Sequence, residues 1–293
     1  MSRVIDAHHH LWRYNATEYG WIDDSMAVLQ RDFLAQELQS ELRSTGVDET
    51  GVDGTIVDGT IAVQARQSLE ETRWLLQIAR DYPFIEGVVG WVPLTDGGVQ
   101  AMLESLAADA RLRGVRHVLQ GEHDEYMLMA EFQRGVSLLA RCGLAYDVLI
   151  HERQLPSAIQ LVDRNPGQVF ILDHIAKPPI RAKVEEPWGS LIRQLAERPN
   201  VYCKISGMVT EDNWLTWSAG SLQPYIDTVL EAFGASRLLY GSDWPVCLVA
   251  SSYSRWIETV RRAIGSLSTA EQGRIMGGTA EEAYKLSPRK END

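Results

Sequence analysis

The 293-residue sequence has few cysteines and no long apolar run. Its cysteines are Cys142, Cys203 and Cys247, an odd number at wide spacing, which argues against a disulfide framework and against a thiolate zinc site. We expect them to be small buried apolar side chains. No stretch of about 18 apolar residues is present, so no membrane-spanning helix is predicted. No basic leader precedes an apolar run, so we expect no signal peptide and a cytoplasmic protein.

Positive charge is also scarce. Lys and Arg number 28 against 40 Asp and Glu, which gives a formal net charge of -12 at pH 7. With no basic stripe, nucleic acid is not an expected partner. A hydrophobic share of 45% and a charged share of 23% are ordinary for a globular protein. Because no shift in composition marks a boundary, we predict one domain over residues 1–293.

Short apolar runs rich in Val and Ile recur along the chain and predict eight β-strands. They are nearly continuous rather than alternating, which is typical of parallel strands covered on both faces. The runs are Val4 to Ala7, Thr60 to Val63, Gly87 to Trp91, Gly114 to Leu119, Ala145 to Ile150, Val169 to Leu172, Val201 to Ile205 and Arg237 to Gly241.

Segments with helical periodicity separate these runs. They are Asp32 to Ser44, Leu69 to Asp81, Val99 to Arg111, Glu125 to Cys142, Leu155 to Asp163, Trp188 to Glu197, Leu222 to Phe233 and Ser252 to Ile264. Eight strand and helix pairs in an α/β chain of this length favour a (β/α)8 barrel of the TIM type. A doubly wound sheet is the alternative, but no GxGxxG or GxxxxGK[ST] motif follows any strand.

The pentapeptide VDGTI occurs twice in succession, at Val52 to Ile56 and Val57 to Ile61. A five-residue shift inverts which side chains of a strand face inward, so only one copy can supply the second strand. The second copy runs directly into Ala62 and is the predicted strand. The first would lengthen a loop on the amino-terminal face of the barrel, opposite the chemistry.

Polar residues stand where most of the predicted strands end. In a barrel these ends meet at one mouth, where active sites lie. The strand-end residues are His8, His9, His10, Gln64, Arg66, His117, Gln120, His151, Asp173, His174, Lys204, Ser206, Ser242, Asp243 and Trp244.

His8 and His10 are two residues apart on an extended chain, so they face one side while His9 faces the other. Asp243, with His151 or His174, would complete a nitrogen and oxygen ligand set for a divalent metal. Without a metal, the same groups could polarise a carbonyl and activate water. Both interpretations stay open at this point.

Other candidates have plain structural alternatives. Arg66 and Lys204 could bind substrate oxygens or could neutralise neighbouring carboxylates. Trp91 could stack on a sugar or serve packing alone. Lys204 could also form a Schiff base in a barrel interior, as in an aldolase-like lyase, but that would leave the histidines unexplained.

Three motifs occur in order: DAHHHLW from Asp6, LDHIAKP ending at Pro178, and YGSDWP from Tyr240 to Pro245. With them the chain resembles the amidohydrolase-related (amidohydrolase 2) family of the amidohydrolase superfamily. Within it, the chain is most similar to the sugar-lactonase branch of L-fuconolactone and L-rhamnonolactone hydrolases. The resemblance runs from Asp6 to about Leu286.

The resemblance implies a (β/α)8 barrel, hydrolysis of a cyclic ester, and a site built from His8, His10, His174 and Asp243. His151 falls where metal-using relatives place a ligand. The lysine that bridges two metals in many members has no counterpart after the fifth strand, so one zinc ion or none is implied rather than a binuclear centre.

The implied mechanism is attack by water on a sugar lactone. The protein would then be an enzyme of carbohydrate metabolism that acts on a small molecule. Asp243 would serve as general base, and the histidines, with zinc if bound, would stabilise the oxyanion. Gln64, Arg66 and Trp91 would hold the hydroxyl groups and ring. A metal-dependent decarboxylase of the superfamily and a non-catalytic sugar-binding barrel are the alternatives. The particular lactone and the number of subunits stay open.

Overall fold

The computed structural model describes residues 3–45 and 56–286. Within them, eight parallel strands form one sheet in the order of the sequence. The strands are β1 (Ile5–His9), β2 (Gly59–Val63), β3 (Ile85–Gly90), β4 (Leu112–His117), β5 (Ala145–Val148), β6 (Phe170–Leu172), β7 (Val201–Ile205) and β8 (Leu238–Tyr240). Each lies in or overlaps a predicted run.

Sequential strand order distinguishes a barrel from a doubly wound sheet, in which the order reverses at a switch point. The seam between β8 and β1 is bridged by a parallel contact of His9 with Trp244. It is reinforced there by the hydrogen bond from His10 N to the Trp244 carbonyl, 2.6 Å. The predicted (β/α)8 barrel is confirmed, nearly closed and built from one sheet.

Helices follow the strands and cover the outside of the barrel. They are α1 (Ala35–Ser44), α2 (Leu69–Asp81), α3 (Val99–Ala107), α4 (Ala130–Leu139), α5 (Leu155–Arg164), α6 (Trp188–Ala196), α7 (Ala219–Phe233), α8 (Tyr253–Ala263), α9 (Thr269–Gly273) and α10 (Thr279–Ala283). The bounds of α2 match the prediction. The Ser68 side chain accepts hydrogen bonds from the Glu70 and Glu71 amides and so fixes the start of this helix.

Besides shifts of a few residues at helix ends, such as α1 and α7, the helices differ from the prediction in three places. The segment expected to run to Arg111 stops at Ala107, and the one predicted over 125–142 is a ten-residue α4 flanked by single 3-10 turns. The short helices α9 and α10 were not predicted, because neither is long enough to show helical periodicity.

The VDGTI repeat is resolved in favour of its second copy, since β2 begins at Gly59. In the first copy, residues 52–55 lie outside the described residues. All three cysteines are free. Cys203 and Cys247 are buried as expected, whereas Cys142 is only partly buried because it lies in the turn that ends α4. Within the described residues, no helix combines the length and hydrophobicity needed to cross a membrane.

Alternate side chains of the strands point into the barrel. Apolar residues such as Ala7, Val63 and Val89 pack together inside it with Tyr284, which follows α10. The Tyr284 hydroxyl donates to Asp147 Oδ2 over 2.6 Å. Asp147 thus stands at the boundary between this apolar interior and the polar layer that supports the site.

Candidate active site

A cavity of about 600 Å³ opens at the carboxyl ends of the strands, where His10, His174 and Asp243 line its floor. These residues come from the segments after β1, β6 and β8. The structure therefore brings together side chains that the sequence places more than 60 residues apart. The mouth of the barrel is where a TIM-type enzyme carries its chemistry.

β1 directs His8 and His10 to the same place, with their Nε2 atoms 3.2 Å apart. His9 points away, and its Nε2 lies 2.9 Å from the Thr60 hydroxyl. This is the alternation predicted from strand geometry. His10 Nδ1 lies 2.8 Å from the Val63 carbonyl. A carbonyl only accepts, so Nδ1 of His10 donates this hydrogen bond and Nε2 is the ring atom that faces the cavity partners.

Asp243 reaches the histidine pair from the other end of the chain. Its backbone N–H donates to the His8 carbonyl over 2.8 Å, which holds the residue in a left-handed conformation with φ 57°. Its Oδ1 lies 3.3 Å from His10 Nε2 and 3.9 Å from His174 Nε2. Burial opposes ionisation, yet His174 and His10 hold the pKa of Asp243 below its usual value. The carboxylate is ready to accept a proton.

His174 sits on a strained turn. Residues 174–177 all have positive φ, between 48° and 62°, a conformation that costs roughly 1–2 kcal/mol for each non-glycine residue. The turn aims the imidazole into the cavity, and Nδ1 lies 2.9 Å from the Ser206 hydroxyl. Burial lowers the pKa of His174 to about 4. The ring is therefore neutral at physiological pH and can donate one hydrogen bond.

A buried charge network lies beneath the histidines. Lys204 Nζ is 2.6 Å from Asp147 Oδ2, 3.0 Å from Asp173 Oδ1 and 3.1 Å from His8 Nδ1. Lys204 is fully buried and does not line the cavity. This placement does not favour the substrate contact predicted for Lys204, or the Schiff-base alternative, because two carboxylates enclose the amine below the floor of the site.

Arg116 lines the cavity, although the sequence did not single it out. Its Nη1 atom lies 3.0 Å from Asp173 Oδ2 and 3.4 Å from His8 Nε2. The signal was available in β4, because Arg116 is two residues after Gly114, whose backbone lies inside the barrel against Val89 and Asp147. A guanidinium at this place can donate to an oxygen that develops negative charge.

A metal ion fits the donor set formed by His8, His10 and Asp243. One ligand atom from each lies within 4.8 Å of the others, and two imidazoles with a carboxylate are what a catalytic zinc or similar divalent ion takes. His8 Nδ1 lies 3.3 Å from Asp173 Oδ1, so a proton on Nδ1 would leave Nε2 free as a ligand, in the usual carboxylate and histidine arrangement. His8, Asp173 and His174 form a second such group, and within the described residues His151 belongs to neither.

Of the residues predicted to bind substrate, Arg66 lies on the cavity wall. Gln64 is fully buried behind it and donates to the Arg116 carbonyl over 3.4 Å. Trp91 is turned away, since its indole N–H donates to His117 Nδ1 over 3.3 Å. Gln64, Trp91 and the partly buried His151 are absent from the cavity wall. The arrangement does not favour the substrate contacts predicted for Gln64 and Trp91, which stay predictions.

Comparison with known proteins adds three findings. A family model described as amidohydrolase matches residues 5–286. An L-fucono-1,5-lactonase of Burkholderia multivorans is 38% identical over 96% of this chain and 96% of its own, and one of Burkholderia ambifaria is 33% identical over 98% and 97%. The crystal structure of an amidohydrolase from Burkholderia multivorans with bound zinc superposes with a TM-score of 0.90 at 38% identity, covering 98% of this chain and all of that one.

Proposed function

The chain belongs to the amidohydrolase family, and from that premise we propose that it is a lactonase that opens a sugar-acid lactone, of the L-fuconolactone kind, to the aldonate. The observation that carries the proposal is Asp243 beside the imidazoles of His10 and His174 at the floor of a cavity. The two relatives named as lactonases match nearly the whole chain. Hydrolysis of a carboxylic ester is the reaction class to which this site is suited.

Asp243 takes the proton of a water molecule as the water adds to the lactone carbonyl, and the same proton then passes to the departing ring alkoxide. The lactone is neutral in the ground state, so negative charge grows on the carbonyl oxygen only as the water adds. His174 donates to that oxygen through Nε2, because Ser206 satisfies its Nδ1. Arg116 supplies a fixed positive charge on the same wall.

His8, His10 and Asp243 would hold one divalent metal ion, and we propose zinc. Such an ion supplies a Lewis acid for the carbonyl and lowers the pKa of a bound water. The zinc-bound relative supports this choice of metal. Lys204 and Arg116 lie close to His8 and place two cations near the same point. Because they would repel a second metal ion, their placement favours one ion over a binuclear centre.

The remaining assignments extend the same proposal. We treat residues 1–293 as one domain and place the reaction in carbohydrate metabolism. Arg66 is retained as a substrate-binding residue on the strength of its place on the cavity wall. The cytoplasmic location and the absence of a nucleic-acid partner stay predictions.

A panel of five- and six-membered aldonolactones, followed with a pH indicator, tests the proposal. The protein is assayed as purified, after chelation, and after zinc is added back. We expect acid release from an L-fuconolactone-like member of the panel, with one aldonate formed per proton. Carbon dioxide release from an aromatic or enoic acid would instead identify a decarboxylase. Thermal stabilisation by lactones without turnover would identify a sugar-binding barrel.

A further inference from the structure

Two ion pairs stand on the wall of the cavity above the catalytic floor. Arg66, after β2, lies 2.5 Å from the Glu18 carboxylate, which is on the segment after β1. Lys177, after β6, lies 3.7 Å from Glu211, which follows β7. All four side chains are partly exposed to the cavity. They are set apart from the buried network of Lys204, which has no access to a ligand.

The charged groups of the cavity wall balance. Its cations are Arg66, Arg116 and Lys177, and its anions are Glu18, Glu211 and Asp243. Asp173 further neutralises Arg116 from below. Among the described residues of the wall, each cation therefore has a carboxylate partner, and an anionic ligand would also face two glutamates at close range. Like charges brought together on binding cost several kcal/mol.

An ion pair is well suited to a hydroxyl group, because a hydroxyl both donates and accepts a hydrogen bond. Arg66 with Glu18, and Lys177 with Glu211, each present donors and an acceptor side by side. One pair follows β2 and the other follows β6, on opposite sides of the eight-stranded barrel, so they would meet hydroxyls at different positions of a sugar lactone. Trp214, whose indole N–H is fixed by the Thr210 carbonyl at 2.9 Å, adds an apolar surface to the same wall.

The Glu18 pair is held in place by a buried neighbour. Glu71 Oε2 accepts from the backbone N–H groups of Ala65 and Arg66, both at 3.0 Å, and the Tyr19 hydroxyl donates to Glu71 Oε1 over 3.2 Å. These bonds tie the segments after β1 and β2 together. The ion pair is thus part of a preorganised wall. Because its side chains are already held in place, little conformational entropy is lost when a ligand binds.

We propose that Glu18 and Glu211 are specificity-determining residues that make the site accept uncharged polyhydroxy lactones and reject lactones that carry a carboxylate. The inference rests on the proposed lactonase function. Each glutamate keeps its cation occupied and offers an acceptor to a hydroxyl. Rejection of anions comes from repulsion by the glutamates and from the pairing of the wall cations with carboxylates.

The test compares kcat/KM for two lactones on the wild type, Glu18→Gln, Glu211→Gln and the double variant. One is a neutral aldonolactone opened by the wild type, and the other is an aldarolactone with a free carboxylate. Glu70→Gln is the matched control, since Glu70 lies 4.0 Å from Arg66 but is 86% exposed and outside the cavity. We expect each cavity variant to shift the ratio toward the carboxylated lactone by about tenfold, with a raised KM for the neutral one.

The outcomes separate the two proposals. No turnover of any lactone by the wild type defeats the lactonase function and this inference with it. Turnover of aldonolactones with an unchanged ratio in the double variant defeats this inference alone. Equal use of both lactones by the wild type also defeats it, without the need for any variant. A ratio that shifts in the cavity variants and not in Glu70→Gln supports it.

Discussion

Nζ of Lys204 lies 3.1 Å from Nδ1 of His8, and both side chains are fully buried in the barrel. Burial and the adjacent Lys204 cation hold the pKa of His8 well below its usual value, against the opposing pull of Asp173. His8 is therefore a neutral imidazole at working pH, suited to act as a ligand or a hydrogen-bonding group. The lysine positions and tunes the site from below.

Replacing Lys204 by Met should destabilise the fold strongly. Asp147 and Asp173 would lose their shared cation in a fully buried layer, and an uncompensated buried charge costs about 3–5 kcal/mol. Urea unfolding measures this loss. Lys177→Met is the control, because Lys177 has one partly exposed partner and should cost about 1 kcal/mol or less. Equal losses in the two variants would contradict the assignment.

Asp243→Asn should remove the general base and leave the barrel intact. The amide keeps the shape of the side chain but cannot take a proton from water, so kcat should fall by about 10²–10⁴-fold. KM should change little, since the loss concerns the transition state. Lactone turnover by pH indicator and a thermal melt are the two measurements. A kcat within about threefold of the wild type would exclude Asp243 as the base.

Gly207→Ala should disable the site by displacing His174. Gly207 has φ 61°, and an added Cβ would lie 2.5 Å from His174 Nδ1 and 3.2 Å from Asp243 Oδ2. A shift of these groups by about 1 Å should lower kcat about 100-fold. Gly234→Ala is matched to it, with φ 65° and no atom within 4 Å. Both variants should lose stability through the strained backbone, Gly207→Ala the more because of the clash, and only Gly207→Ala should lose turnover.

Glu71 should make the stability of the wild type depend on pH. Burial raises the pKa of Glu71 to about 7 from the ordinary 4.5, so the folded state holds its proton more tightly than the unfolded state does. This contribution to stability is complete below the ordinary value and is lost as the pH rises through about 7. Between about pH 5 and pH 8, the wild type should therefore lose about 2 kcal/mol relative to Glu71→Gln.

Urea unfolding of both proteins at the two pH values provides the measurement. Glu70→Gln is again the comparison, because this neighbouring side chain is exposed and its removal should leave the pH dependence as it is in the wild type. If the free energy of unfolding of the wild type rises relative to that of Glu71→Gln between the two pH values, the prediction is contradicted.

The strands were predictable because a strand buried on both faces is a continuous apolar run, and the order of the runs predicted the barrel. The same rule located His10, His174 and Asp243, since each follows the end of a strand. The rule also placed Lys204 at a strand end. Lys204 lies inside β7 rather than after it, so its side chain projects into the layer below the mouth.

Other features of the site depend on tertiary contacts that no local pattern encodes. Trp91 follows a strand, yet its bond to His117 turns it from the cavity. Glu18 and Glu211 lie several residues beyond their strands, on irregular segments whose course is set by packing. Only Arg116 was open to prediction, from its inward phase with Gly114 in β4.

The seam that closes the barrel is also where the reacting groups meet. The Asp243 amide donates to the His8 carbonyl over 2.8 Å, and the His10 amide donates to the Trp244 carbonyl over 2.6 Å. One partner in each bond belongs to β1 or the residue after it, and the other lies on the segment after β8. Closure of the barrel and assembly of the reacting groups are therefore the same structural event.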